Sequence, residues 1–211
     1  MTRLQPIYTP EQSAAVQHVF LRHFVKRLLA LKIGQVVVCY DPPSAAGEMA
    51  DVLGGENVEY LPQGEGDQGD RIAAIAAALG SRFEQVLMFG VDSPDVPGTY
   101  LRKLSRILSK HDVLLAPSDD GGFWAVGVRG GVPLDSALAD VAWSTDKEYA
   151  QATEKLTAAG YRVGAGDQWS AVDLPADVTG LLERLKLSNA ADDRMLYDAL
   201  SAALDEEGIP T

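Results

Sequence analysis

Two carboxylates lie in Asp92-Ser93-Pro94-Asp95, directly after the apolar run Val86-Leu87-Met88-Phe89-Gly90-Val91. A short apolar run bounded by a turn reads as a buried strand. In open α/β sheets, ligands bind beyond the carboxyl ends of the strands. A carboxylate there can coordinate a divalent ion that bridges pyrophosphate oxygens. Asp92 stands nearest the strand end and is the metal-ligand candidate. Asp95 has a second reading as the cap of a helix after Pro97, and for both residues plain turn chemistry is the bland alternative.

Three further segments have chemical potential. Asp119-Asp120-Gly121-Gly122 carries two glycines that let a ligand approach the main chain, with Asp120 facing it. Asp-Gly equally marks a hairpin turn. The loop Gln63 to Asp70 holds Gly64, Gly66 and Gly69 ahead of a helix, with Arg71 as its only cation. Such a loop can offer N–H groups to a phosphate, although its spacing is that of neither a P-loop nor a dinucleotide fingerprint. Asp173, before Pro175, reads either as a helix cap or as a second carboxylate converging on the metal. His18, His23 and His111 lack metal-ligand spacing. No Gly-x-Ser-x-Gly elbow supports a hydrolase triad.

Alternating helices and short apolar strands must position these residues, which predicts an α/β fold with a mostly parallel sheet. Thr9-Pro10-Glu11-Gln12 opens a helix expected to run to Leu31, with Val16, Phe20, Phe24, Leu28 and Leu31 on one face. Strands are expected over 35–40, 58–61, 86–91, 112–116, 123–128 and 161–165. Helices are expected over 47–53, 71–79, 98–109, 145–159, 175–186 and 190–205. The chain has 211 residues, which suits one domain over 1–211.

The charge balance is 18 basic against 30 acidic residues, a net −12. That argues against binding a nucleic-acid polymer but not against a small anion held through a divalent cation. No apolar run reaches the roughly 18 residues of a membrane span. The single cysteine, Cys39, lies in the run Val36 to Tyr40 and reads as a buried structural thiol. A cytoplasmic protein is the default expectation.

Taken together, Gly90-Val91-Asp92-Ser93-Pro94-Asp95-Val96, Asp120-Gly121-Gly122-Phe123, the Gln63 to Arg71 loop, Trp143-Ser144-Thr145-Asp146 and Val172 to Asp177 resemble a bacterial family of nucleotide-diphospho-sugar transferases with the GT-A-type fold. It is an uncharacterised glycosyltransferase group of the arsenosugar-biosynthesis type. The resemblance covers almost the whole chain. It implies a Rossmann-like sheet flanked by helices, Mg²⁺ or Mn²⁺ near Asp92, a nucleotide-sugar or nucleotide ligand and a small-molecule acceptor. Within it Gly66, Asp67 and Arg71 belong to the substrate loop, together with Ser93, Pro94 and Asp95 of the central motif. Asp120, Gly121 and Gly122 form a turn on the acceptor or sugar side. In this reading Arg3 or Arg71 contacts phosphates, Asp120 orients an acceptor hydroxyl and Asp173 is a direct or supporting metal carboxylate. The Gly-x-Asp-x-Pro core also looks like that of molybdenum-cofactor nucleotidyltransferases, a second reading.

Members of this group open with a buried strand and a Gly/Lys loop ending in Lys-Thr-Arg-Leu, whereas this sequence starts at Met1-Thr2-Arg3-Leu4. The expectation is a sheet lacking its central first strand. An upstream start, a filling segment from elsewhere or from a homodimer partner, and a non-catalytic binding protein are the three outcomes this leaves open.

Overall fold

The computed structural model describes residues 2–5, 7–134 and 137–205. Helix α1 (Pro10–Leu31) begins where the sequence predicts. The Thr9 side chain accepts from the Gln12 N–H, the Gln12 side chain accepts from the Thr9 N–H, and Pro10 sits in the first turn. Lys32 ends it in a left-handed conformation, φ 52°. Then follow β1 (Val37–Tyr40), α2 (Ala46–Leu53), β2 (Glu59–Pro62), α3 (Gln68–Gly80), β3 (Gln85–Phe89) and α4 (Gly98–Leu108). The second half contains β4 (Val113–Pro117), β5 (Phe123–Arg129), α5 (Glu148–Ala158), β6 (Val163–Ala165), α6 (Pro175–Leu187) and α7 (Ala191–Asp205). The fold is α/β, as expected.

Four strands form one sheet in the order β3-β5-β4-β6. β5 runs antiparallel to both β3 and β4, while β6 is parallel to β4. β1 and β2 pair in parallel as a separate two-stranded sheet. The strands are thus interrupted between β1 and β3.

Alternation along β4 sends its residues to two cores. Val113 and Leu115 pack with Ile72 and Ala76 of α3 and Leu156 of α5. Leu114 and Ala116 pack with Phe24 of α1 and Leu101, Leu104 and Leu108 of α4. The four-stranded sheet is therefore the middle layer between two helical layers, the arrangement that hides both faces of a βα-type sheet. A third cluster joins Leu4, Val16 and Phe20 to Leu181 of α6 and Leu196 and Leu200 of α7. Cys39 is only partly buried, beside Ile75 and Leu79, rather than enclosed. Burial and the Glu59 charge raise its thiol pKa, which favours an inert thiol.

Candidate functional site

Beyond the end of β3 the chain turns at Gly90, and the Asp92 side chain folds back over it. A side chain at position 90 would collide with the Asp92 carboxylate, so glycine creates the room. Oδ1 of Asp92 is shut off from solvent and has no hydrogen-bond partner, although the residue as a whole remains partly exposed. Burial pushes this carboxyl up to about 6, and the charges of Asp120, Asp173 and Glu148 add to the shift. Those three residues come from three different segments, so tertiary structure has gathered four carboxylates at one end of the sheet.

The β4–β5 turn supplies Asp120. Its Oδ1 accepts from the Gly122 N–H at 3.0 Å and from the Ser118 hydroxyl. Oδ2 has no hydrogen-bond partner among the described residues. Gly121 has φ +89°, and a side chain there would strike the Asp146 backbone. Its carbonyl accepts from the Tyr149 N–H at 2.9 Å, which clamps the turn to the start of α5.

Glu148, in the first turn of α5, is 6% exposed. Its Oε1 accepts from the Gln68 side chain at 3.1 Å and its Oε2 from the Ser144 N–H at 2.9 Å. Burial, then the charge of Asp120, raises its pKa. Gln68 belongs to the first turn of α3, so Glu148 links two helix starts. Sequence reasoning missed Glu148 and Gln68. The available signal was the Trp143 to Asp146 motif lying just ahead of Glu148.

The Gly-rich loop lies alongside. Asp67 caps α3, accepting from the Asp70 N–H while the Asp70 carboxylate accepts from the Asp67 N–H. Gly66 adopts φ +96°. Arg71 holds Asp41 at 3.1 Å and donates to the Gly66 carbonyl at 3.2 Å. Gly66, Asp67, Gln68, Arg71 and Asp92 line one end of a cavity of about 780 Å³ whose remaining wall is largely apolar. Asp173 is paired with Arg3 at 2.5 Å, and the adjacent Val172 N–H donates to the Asp92 carbonyl at 2.8 Å. The helix cap in that segment is Asp177, which accepts from the N–H groups of Asp173 and Leu174.

The rest of the central motif points elsewhere. Ser93 is fully buried and its hydroxyl donates to the Ser170 carbonyl at 3.0 Å. The Pro94 carbonyl accepts from Arg27 at 2.7 Å. Asp95 accepts from Trp169 Nε1 at 3.0 Å and pairs with Arg184 at 3.0 Å. It lines a separate cavity of about 580 Å³ with Arg27, Arg102 and Arg184. Nor does Asp95 cap α4, whose N-cap is Pro97 without a side-chain bond. Asp92, Asp120, Asp173, Arg3, Gly66, Asp67, Arg71, Gly121 and Gly122 are gathered toward one end of the sheet, and Ser93, Pro94 and Asp95 anchor the helices behind it. His111 Nδ1 donates to the Ile107 carbonyl at the end of α4, 2.8 Å away.

No three carboxylate, histidine or cysteine side chains form a ready-made metal cage among the described residues. Mg²⁺ rarely uses such a cage. It keeps several waters and takes one or two carboxylates plus substrate phosphates. An orphaned Asp92 oxygen among three neighbouring carboxylates fits that donor set.

Comparison with known proteins agrees with the fold. A crystal structure of a candidate nucleotide-diphospho-sugar transferase from Desulfovibrio desulfuricans is 24% identical, with a TM-score of 0.78. The match covers 96% of this chain and 90% of that one. HddC from Yersinia pseudotuberculosis is 10% identical, covering 76% of this chain and 82% of that one, with a TM-score of 0.48. Rv0371c from Mycobacterium tuberculosis is 18% identical, covering 78% and 83%, also with a TM-score of 0.48. Among curated proteins none matches. A family model does match, over residues 24–145, a stretch that includes α3, β3 and the Asp92 and Asp120 turns; the chain therefore belongs to the DUF2064 family, described as an uncharacterized protein conserved in bacteria, and has a GT-A-like fold of the nucleotide-diphospho-sugar transferase kind.

Proposed function

We propose that this chain is a metal-dependent glycosyltransferase that takes a nucleotide-sugar donor and passes the sugar to a small-molecule acceptor. The observation behind this is Asp92, an orphaned carboxylate just beyond the end of β3 and beside Asp120, Asp173 and Glu148. Four carboxylates repel a diphosphate unless a cation intervenes. Arg3 and Arg71, at this end of the molecule, are already paired with Asp173 and Asp41. Asp92 would hold Mg²⁺ or Mn²⁺, with Glu148 and Asp173 as supporting carboxylates. When bound, the ion neutralises charge on the diphosphate leaving group. Asp120, with a free oxygen on an exposed turn, would orient the acceptor hydroxyl. Arg71, Gly66 and Asp67 would border the donor.

A second reading, a binding protein without catalysis, draws support from the interrupted strands beside the site. Calorimetric titration separates the two. A panel of nucleotide-sugars, UDP-glucose among them, is titrated into the protein with Mn²⁺ and again with EDTA. The expected result is binding that requires the metal and weakens at least tenfold in Asp92→Asn. Turnover to free nucleotide diphosphate in the presence of an acceptor supports the enzyme, and binding without turnover supports the second reading. Silence across the whole panel would sink both.

A further inference from the structure

The side-chain amide of Gln68 is held in one orientation. Its Nε2 donates to Glu148 Oε1 at 3.1 Å. Oε2 of Glu148 accepts from the Ser144 N–H at 2.9 Å, so the carboxylate is braced from two sides. Ser144 itself adopts φ 59°, a left-handed conformation uncommon outside glycine. An ionised carboxylate has no proton to give and only accepts. Turning the Gln68 amide over would set its carbonyl oxygen against that carboxylate. Nε2 therefore faces Glu148, and Oε1 faces away from it.

Oε1 of Gln68 has no hydrogen-bond partner among the described residues. It is open to a ligand, since Gln68 is exposed and lines the 780 Å³ cavity with Gly66, Asp67 and Asp92. The partner of Gln68 stands at the Asp120 turn. A β-carbon on Gly122 would lie 3.3 Å from Asp120 Oδ1 and 3.8 Å from Glu148 Oε1. Gln68 thus belongs to the cavity wall that holds Asp92 and, through Glu148, to the Asp120 turn. A neutral acceptor among carboxylates selects by polarity. A phosphate oxygen brings another acceptor and a negative charge, which the neighbouring carboxylates repel. A hydroxyl is uncharged and donates. In a nucleotide-sugar the groups of that kind next to the diphosphate are the hydroxyls of the sugar.

We propose that Gln68 is a specificity-determining residue whose Oε1 accepts from a hydroxyl of the donor sugar, with Glu148 as the residue that positions it. The inference rests on the transferase reading, because the hydroxyl belongs to its nucleotide-sugar. Fixing the amide beforehand spares the ordering cost that a free glutamine would bear on binding. A sugar without that hydroxyl forfeits the bond.

Calorimetric titration in the presence of Mn²⁺ tests this on the full chain and on Gln68→Leu and Gln68→Lys. The probes are UDP-glucose and a set of monodeoxyfluoro analogues, one for each sugar hydroxyl, because fluorine takes the place of the hydroxyl and cannot donate. Lysine keeps a donor for Glu148 and offers no acceptor, whereas leucine offers neither. The expected result is one analogue that binds the parent roughly tenfold more weakly than UDP-glucose, with that difference lost in both variants. Equal binding of all the analogues to the parent overturns the proposal. So does discrimination that survives in Gln68→Lys, which would mean that the residue only supports Glu148. If UDP-glucose is silent while another nucleotide-sugar binds, this inference falls and the transferase reading stands; if every nucleotide-sugar is silent, both fall.

Discussion

Asp92 carries an energetic signature that can be read without any ligand. Its carboxyl sits at about 6 in the folded chain against an ordinary 3.8. The native state therefore holds this proton more tightly than the unfolded state does. Between about pH 4 and pH 6 stability falls as pH rises, and above that window the cost is constant. Two pK units correspond to up to about 3 kcal/mol. In chelator-treated protein, Asp92→Asn should be more stable than the parent at pH 7 by up to that amount, with the gap closing below about pH 4. Urea titrations at several pH values measure it, and a variant less stable than the parent at pH 7 contradicts the burial of this charge. The Glu148 pKa is raised by burial too, but removing that side chain acts in the other direction. It is an acceptor for Gln68 and for the Ser144 N–H. Removing it strands buried donors, so Glu148→Ala should cost about 1–3 kcal/mol in the same assay.

The start of α3 shows how an element places its residues. Asp67 and Asp70 close a reciprocal cap, and the following Gly69 lies against the Trp143 ring, where an added Cβ would stand 2.7 Å from it. Asp67→Ala should lower stability by about 1 kcal/mol, the usual value of a lost cap. Asp67→Asn keeps a capping side chain and should leave the melting temperature nearly unchanged. If Asp67 also borders the donor, the Asn variant will bind nucleotide-sugar more weakly while remaining as stable, and the two roles separate in one pair of measurements.

At the scale of the molecule, α1, α6 and α7 are joined by a cluster that reaches from Leu4 to the last helix. Leu4, Phe20, Leu181, Leu196 and Leu200 are each fully buried there. The same cluster includes Val172, beside Asp173. Packing of the last helix and placement of a site carboxylate thus share one core. Leu196→Ala should destabilise by about 2–5 kcal/mol, the range for deleting a buried leucine. Equilibrium denaturation checks this, and a cost below about 1 kcal/mol would mean that α7 does not pack as described.

Local chemistry made most elements legible beforehand. Thr9, Pro10 and Gln12 mark a helix start within four residues, and the spacing of Val16, Phe20 and Phe24 marks its buried face. The strand before Asp92 and the turn at Asp120 were equally local, and the motif order carried the family. Three features were not local. Asp92 and Asp95 share one turn, yet only the packing of Trp169 and Arg184 turns Asp95 to the far side. Glu148 is an ordinary helix residue until folding buries it beside Gln68 and Asp120. A missing strand is expected from the resemblance, but that the interruption falls between β1 and β3 is a matter of strand pairing, which joins residues dozens of positions apart. Caps and periodicities act between residues a few positions apart and are therefore written in sequence. The direction of a side chain, its burial and the partner of a strand edge depend on what the rest of the chain brings alongside, and only the tertiary structure decides them.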